Sequence, residues 1–574
     1  MERLSGLDAS FLYLETPTLH MHVAMSMVFD PTTVPGGYSF EKMRDHIAER
    51  VQATPVFRRT LVEVPLRLGH PVWIDDPSFD IAYHVRRAAV PSPGGLFELA
   101  EFTSEITSQQ LDRSRPLWEI WIIEGMADGR IALVAKMHHA TVDGMSGAAL
   151  LSVLFDLEAD PAPPVTAELD HPGTHDAPGS AAAEIDTLGH APSARKRTGD
   201  PVPSGLELVT TAMAARARLP LGIMRDLVST GLKVLDVRKV RSSAEVEAGR
   251  AKAALPLSAP RTSFNASLTR RRRVSMAAIG LDDIKRLKNA TGTTVNDVVL
   301  AVCTGALRDL LIEGDELPEK PLVAVVPVSV QPDGDQNGAM AKSSNQISSM
   351  FVQLPTQLHN PLARLQAIRE GTKGAKDEHH ALGADTLLNW AEYAAPNVFA
   401  NAARVYSRMR LADFHRPVAN LVISNVPGPD FPLYLAGAEM QSAFPLGPVI
   451  DGMGVNITVM SYRGVLYWGF IGCPDAMPKI WELARSIPRA LDDLLQAAGL
   501  EPAGFRSEEA AQALRAVGIE PDPDPRLSRP WNAITSRSST DREDGSPATL
   551  SSNAAPSPSV SATTLPADLA VQVS

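Results

Sequence analysis

A chain of 574 residues exceeds one typical domain and is long enough to bury two substantial cores. Its 44% hydrophobic and 21% charged residues are an ordinary globular balance, and a net charge of −12 without aromatic–basic interleaving argues against nucleic acid as a partner. Two distant cysteines, Cys303 and Cys473, give no disulfide framework and no CxxC metal spacing; each reads as a small buried apolar residue in a reducing cytosol.

In chain order, residues 1–160 alternate short apolar strands with helices, among them 43–54 and 95–111. The amino terminus lacks a basic region followed by a long apolar stretch, so no signal peptide is expected. No run of about 18 apolar residues occurs, so no spanning helix is expected either. Residues 161–205 are rich in Pro, Gly, Ala and Ser and read as a disordered insertion. A helical linker is expected over 206–261, broken at Pro220. A second mixed α/β segment covers 262–500, with strands at 322–330 and 420–424 and a hairpin over 454–470. A helical extension over 501–525 and a disordered tail over 526–574, dominated by Ser, Thr, Pro and Ala, complete the chain.

The motif that carries chemistry is His138-His139-Ala-Thr-Val-Asp143-Gly144. The aliphatic segment 130–137 before it reads as a buried strand, and 144–158 after it has a helical apolar pattern. The histidines therefore stand where a strand hands over to a helix and a side chain can face a cleft. An imidazole there can take a hydroxyl proton near neutral pH. Asp143 can turn back to fix the loop or ring orientation, and Gly144 leaves room for a sharp bend. A metal site would need a third ligand, and no HExxH or carboxylate–histidine cluster supplies one. A second pair, His379-His380, lies in a polar stretch without the following Asp-Gly spacing and reads as a solvated helix face or loop.

Other residues carry two readings each. Asn296 and Asp297 follow the capping residues Thr293-Thr294, so Asp297 suits a first helical turn and Asn296 a loop backbone group; shaping a cleft is the alternative. Trp118, before the strand 119–124, is core or the wall of a substrate channel. Residues 425–429 (Asn-Val-Pro-Gly-Pro) are chiefly a turn signal. Asn456 lies on an apolar strand, so its amide needs a partner: a structural hydrogen bond, a substrate or an oxyanion. Basic residues among aliphatics over 205–250, and the run Arg270–Arg273, suit a lipid surface, a solvated interdomain face or, for the arginine run, the phosphates of coenzyme A.

The opening block 4–23, Pro116-Leu117-Trp118, the HHxxxDG string, Asn296-Asp297, 424–429, 445–448 and 454–462 fall in order and spacing that resemble the bacterial wax ester synthase/acyl-CoA:diacylglycerol acyltransferases. These belong to the wider group of chloramphenicol-acetyltransferase-like enzymes and peptide-synthetase condensation domains. The resemblance runs from about residue 1 to about 500, apart from the middle insertion. The Asp-Phe-Gly-Trp-Gly block of the plant acyltransferases is missing, which disfavours the plant alcohol-acylating branch.

The resemblance implies an α/β fold of two chloramphenicol-acetyltransferase-like domains with a tunnel between them and the histidine pair at its centre. It implies transfer of a long-chain acyl group from coenzyme A to diacylglycerol, with His139 as general base, His138 supporting the loop and Asp143 orienting. Trp118, Asn296, Asp297 and Asn456 would bind substrate or shape the cleft. No cofactor is expected, since acyl-CoA is a substrate, and no metal. The expected partners are acyl-CoA, an acyl acceptor and a membrane or lipid-droplet surface, met peripherally from the cytoplasm. A fatty-alcohol acceptor, giving wax esters, is the near alternative, and a non-enzymatic lipid-surface protein the remote one.

Overall fold

The computed structural model describes residues 2–65, 69–141, 153–160, 258–329, 347–382 and 396–502, all within one compact unit spanning residues 1–530. Asp143, Gly144, the insertion at 161–205, the linker as far as 257, the extension beyond 502 and the tail lie outside the described residues.

The first half runs β1 (Glu2–Arg3), α1 (Gly6–Leu14), β2 (His22–Asp30), α2 (Phe40–Ala53), β3 (Arg59–Val62) and β4 (Val72–Asp75). It continues with α3 (Ile81–His84), β5 (Val85–Ala89), α4 (Leu96–Thr107), β6 (Trp118–Glu124) and β7 (Ile131–His138), closed by a 3-10 turn at His139–Thr141. The second half opens with β8 (Arg273–Gly280), α5 (Leu281–Thr291), α6 (Val295–Glu313), β9 (Leu322–Ser329), β10 (Ile347–Leu354), α7 (Pro361–Leu382) and α8 (Pro396–Arg408). It ends with β11 (Leu421–Val426), β12 (Tyr434–Leu435), β13 (Ala438–Leu446), β14 (Val455–Tyr462), β15 (Val465–Gly472) and α9 (Ile480–Ala497).

Two mixed six-stranded sheets form the frame, ordered β12-β13-β2-β7-β6-β5 and β10-β9-β11-β14-β15-β8. Their central strands bury both faces, as the aliphatic runs of β7 and β15 require. The two halves are not separate along the chain. β13 leaves the second half and pairs antiparallel with β2, from Glu439↔Asp30 to Leu446↔Ala24. The first sheet is therefore completed by residues more than 400 positions away from β2, which locks the halves together around their shared boundary.

Local chemistry explains the elements that frame the site. The Ser5 hydroxyl accepts the Asp8 N–H (3.1 Å) and starts α1. Between β14 and β15, Arg463 and Gly464 both take positive φ (46° and 78°), the two-residue turn whose twist suits an antiparallel hairpin. The turn signal at 425–429 is shorter than the sequence indicates: Asn425 and Val426 continue β11, because β14 offers them a parallel partner at Val459 and Met460.

Helix α6 is apolar nearly all round and is buried accordingly, between α7 and α9. At Gly305 an added Cβ would stand 2.9 Å from the Ala490 Cβ on α9, an atom that cannot rotate away. Gly305→Ala is expected to cost about 1–3 kcal/mol by overpacking, read as a lowered midpoint in urea with unchanged slope.

Candidate active site

β7 delivers the two histidines to opposite fates. His138 is its last residue, facing His22 of β2 in register, and is 1% exposed. Its backbone N–H donates to Leu117 O (2.9 Å), and its Nδ1 accepts the Ala140 N–H (3.1 Å). Nδ1 being an acceptor, the neutral ring carries its proton on Nε2, which stands 3.6 Å from Glu15 Oε2. Burial lowers the His138 pKa against the pull of Glu15, which favours that neutral form.

His139 begins the 3-10 turn, so its side chain leaves the other side of the strand and is only half-buried. Its backbone N–H is pinned to Met21 O (2.8 Å), and its ring lies 4.1 Å, centroid to centroid, from Phe11 of α1. One imidazole is sealed inside; its neighbour is only partly buried, held by backbone and aromatic contacts.

Glu15, at the end of α1, is a residue sequence reasoning passed over, as is Arg113. The Arg113 guanidinium holds Glu15 Oε2 through Nε (2.9 Å) and a terminal nitrogen (2.5 Å), and also donates to Leu12 O (2.7 Å). Burial alone would raise the Glu15 carboxyl, but His138 and Arg113 more than reverse this and bring it down to about 2. At 3.6 Å the His138 contact is too long for a hydrogen bond and His138 is pushed toward neutral, so Arg113 supplies most of the attraction. The signal was present in the sequence only as an acid within the opening block and an arginine 98 positions on.

Behind the pair, the C-terminal end of α4 offers carbonyls that need donors. His22 Nε2 donates to Thr107 O (3.1 Å), and Lys136 Nζ to Ile106 O and Gln109 O (2.9 Å each) while pairing with Glu119 (2.5 Å). Burial pushes the His22 and Lys136 pKa values down. These cationic and polar groups suit the negative end of the helix dipole and fix α4 against β2 and β7.

A cleft of about 720 Å³ opens beside this row, lined by His20, Gln109, Gln110 and the Arg270–Arg273 run. Arg272 is built into the fold: it is 5% exposed and donates to Thr269 O (2.6 Å), Arg271 O (2.9 Å) and Thr18 O (2.6 Å). Arg271 pairs with Asp475 (2.5 Å), while Arg270 is exposed.

The remaining sequence candidates are placed as follows. Trp118 is the first residue of β6, 1% exposed, with Nε1 donating to Phe57 O (2.7 Å) and its ring stacked on His84 (4.5 Å). Asp297 closes a capping box with Thr294 (2.9 and 3.1 Å) and accepts the Thr372 hydroxyl (2.8 Å); Asn296 is half-buried beside it. The Asn456 amide donates to Pro448 O (2.9 Å) and accepts the Thr458 hydroxyl (2.8 Å), tying β14 to the Pro445–Pro448 segment. Asp297 and Asn456 thus have their polar atoms engaged within the protein. Cys303 and Cys473 are buried free thiols. Among the described residues, no group of three or more His, Cys, Asp or Glu is arranged to hold a metal, and no helix is long and apolar enough to cross a membrane.

Two mixed sheets, the first completed by a strand from the second half of the chain, with a histidine doublet at the end of a central strand, define a chloramphenicol-acetyltransferase-like acyltransferase. The model of the wax ester synthase/diacylglycerol acyltransferase catalytic domain matches residues 4–299, and that of the C-terminal domain of the same enzymes matches 343–495. The chain belongs to the wax ester synthase/diacylglycerol acyltransferase family. It is 39% identical to a putative diacylglycerol O-acyltransferase of Mycobacterium tuberculosis, over 89% of this chain and 93% of that one. A probable diacylglycerol O-acyltransferase of the same organism is 33% identical over 87% of this chain and all of its own length. Among solved structures, the wax ester synthase/diacylglycerol acyltransferase of Marinobacter aquaeolei VT8 matches with a TM-score of 0.57 at 28% identity, covering 87% of this chain and all of that one.

Proposed function

We propose that this acyltransferase moves a long-chain acyl group from coenzyme A to the free hydroxyl of diacylglycerol. His139 takes the hydroxyl proton as the oxygen attacks the thioester carbonyl. The tetrahedral oxyanion collapses, the carbon–sulfur bond breaks, and His139 returns the proton to the departing thiolate. The thioester is already an activated donor, so donor and acceptor react in one ternary complex with no covalent enzyme intermediate and no resident cofactor.

The observation that carries this reading is the contrast within the histidine pair. His138 is sealed against Glu15 with Nδ1 engaged, whereas His139 is half-buried with its ring beside Phe11. In the cleft beside His20, which Glu101 and Glu105 also line, the exposed Arg270 suits a phosphate of coenzyme A, because guanidinium geometry matches phosphate. In this reading Asp143 orients the loop or the ring and Gly144 leaves room for the bend after it.

An acceptor panel tests the proposal. Purified protein is given labelled palmitoyl-coenzyme A with diacylglycerol, monoacylglycerol or a long-chain alcohol. Label is expected in triacylglycerol; label chiefly in wax ester would replace the acceptor, and transfer to none of them would refute the reading.

A further inference from the structure

Large apolar side chains exposed to water are few among the described residues, and four of them fall within fourteen positions: Val405 (51% exposed), Met409 (60%), Phe414 (81%) and Val418 (42%). Val405 in the last turn of α8 and Met409 just beyond it are four apart, joined by the Met409 N–H to Val405 O bond (2.9 Å), so they form one stripe. Arg404 and Arg408, also four apart and exposed, border it. Arg410 and Arg416 follow, and Asp413 is the sole acid between 404 and 418. Four arginines against one aspartate give this face a positive charge on a chain whose net charge is −12. Arg410 pairs with Asp413 (2.8 Å), but Arg408 and Arg416 have no ion pair among the described residues.

The exposure is held in place. Arg261 donates to Ala412 O (3.1 Å) and His415 O (2.7 Å), and the Ser267 N–H donates to Asp413 Oδ1 (2.7 Å). The backbone on both sides of Phe414 is thereby anchored while the ring points outward. The face also lies close to the reacting pair. Ser407 of α8 meets Thr18 Oγ1 (2.7 Å), and α8 packs on α1, whose Phe11 touches His139.

We infer that Val405, Met409, Phe414 and Val418, rimmed by Arg404, Arg408 and Arg416, form the surface by which the protein docks on an anionic lipid layer. Apolar side chains enter the acyl boundary and arginines sit among negative head groups. The inference rests on the lipid-acceptor reading above, to which it adds the face that meets the acceptor's own phase.

Full-length protein is sedimented with vesicles of phosphatidylglycerol and phosphatidylcholine, and with vesicles of phosphatidylcholine alone. The unaltered protein is expected to pellet with the anionic vesicles, less as salt rises, and weakly with the neutral ones. Met409→Asp with Phe414→Asp is expected to lower vesicle affinity about tenfold or more. Arg404→Glu with Arg408→Glu is expected to abolish the preference for anionic vesicles. Both variants should keep the melting temperature and the transfer of palmitoyl groups to a short-chain, water-soluble alcohol; Phe414→Ser is the milder substitution should the first pair melt early. Variants that pellet like the unaltered protein, or an unaltered protein that pellets with neither vesicle or equally with both, would overturn the inference. Pelleting as described by a protein that transfers no acyl group leaves the docking face standing and removes the acyltransferase reading instead.

Discussion

His139→Ala is expected to lower kcat by about 10²–10⁴-fold, the usual worth of a positioned general base, with KM for palmitoyl-coenzyme A little changed. The protein should stay folded, because the ring is half-buried and the Met21 contact that fixes its backbone is made by the main-chain N–H, which alanine keeps. His138→Ala should behave differently. That ring is 1% exposed and its Nδ1 accepts from Ala140, so its removal opens a cavity beside Glu15 and costs stability before it costs chemistry. The two substitutions therefore separate by readout: activity without loss of melting temperature for His139, loss of both for His138. Retention of more than a tenth of kcat in His139→Ala would remove the proton-transfer role from this ring.

The sequence made visible whatever depends on neighbours along the chain. The strand ending in the histidine pair, the Arg463-Gly464 hairpin and the Thr294/Asp297 cap are local patterns, and they stand within a residue or two of where they were expected. What could not be read is pairing at long range. Nothing in Ala438–Leu446 marks it as the partner of β2 rather than of its own half, because that choice is made when the sheets dock. The Asn456 amide announced that it needed a partner, but the Pro448 carbonyl was supplied by the fold. Likewise nothing along the chain at 405–418 says which apolar residues stay outside, because packing decides that.

Glu15→Gln is expected to lose at most about 3 kcal/mol of stability at pH 7, the worth of moving a carboxyl from its ordinary 4.5 to about 2, and less by whatever share a neutral His138 does not supply. The Glu15 side chain is 3% exposed but that of Arg113 is 39% exposed, so water screens the pair from the arginine side and lowers its worth. The pH sign follows from the direction of the shift. A carboxyl with a depressed folded-state pKa contributes stability that is complete above about 4.5 and fades as pH falls toward 2, so the difference between Glu15→Gln and the unaltered protein should narrow over that window. A second acid-labile step lies above it. His20, His22, His84 and His138 all have pKa values lowered by burial from 6.5, so the unfolded chain binds protons there that the folded protein refuses. Stability should therefore begin to fall once pH drops below about 6.5, in the variant as in the unaltered protein. Urea midpoints taken between pH 7 and 3 distinguish the two steps. A Glu15→Gln deficit that stays constant down to pH 3 would mean that Glu15 holds the end of α1 by shape alone, and that Arg113 does not keep its carboxylate charged beneath the histidine pair.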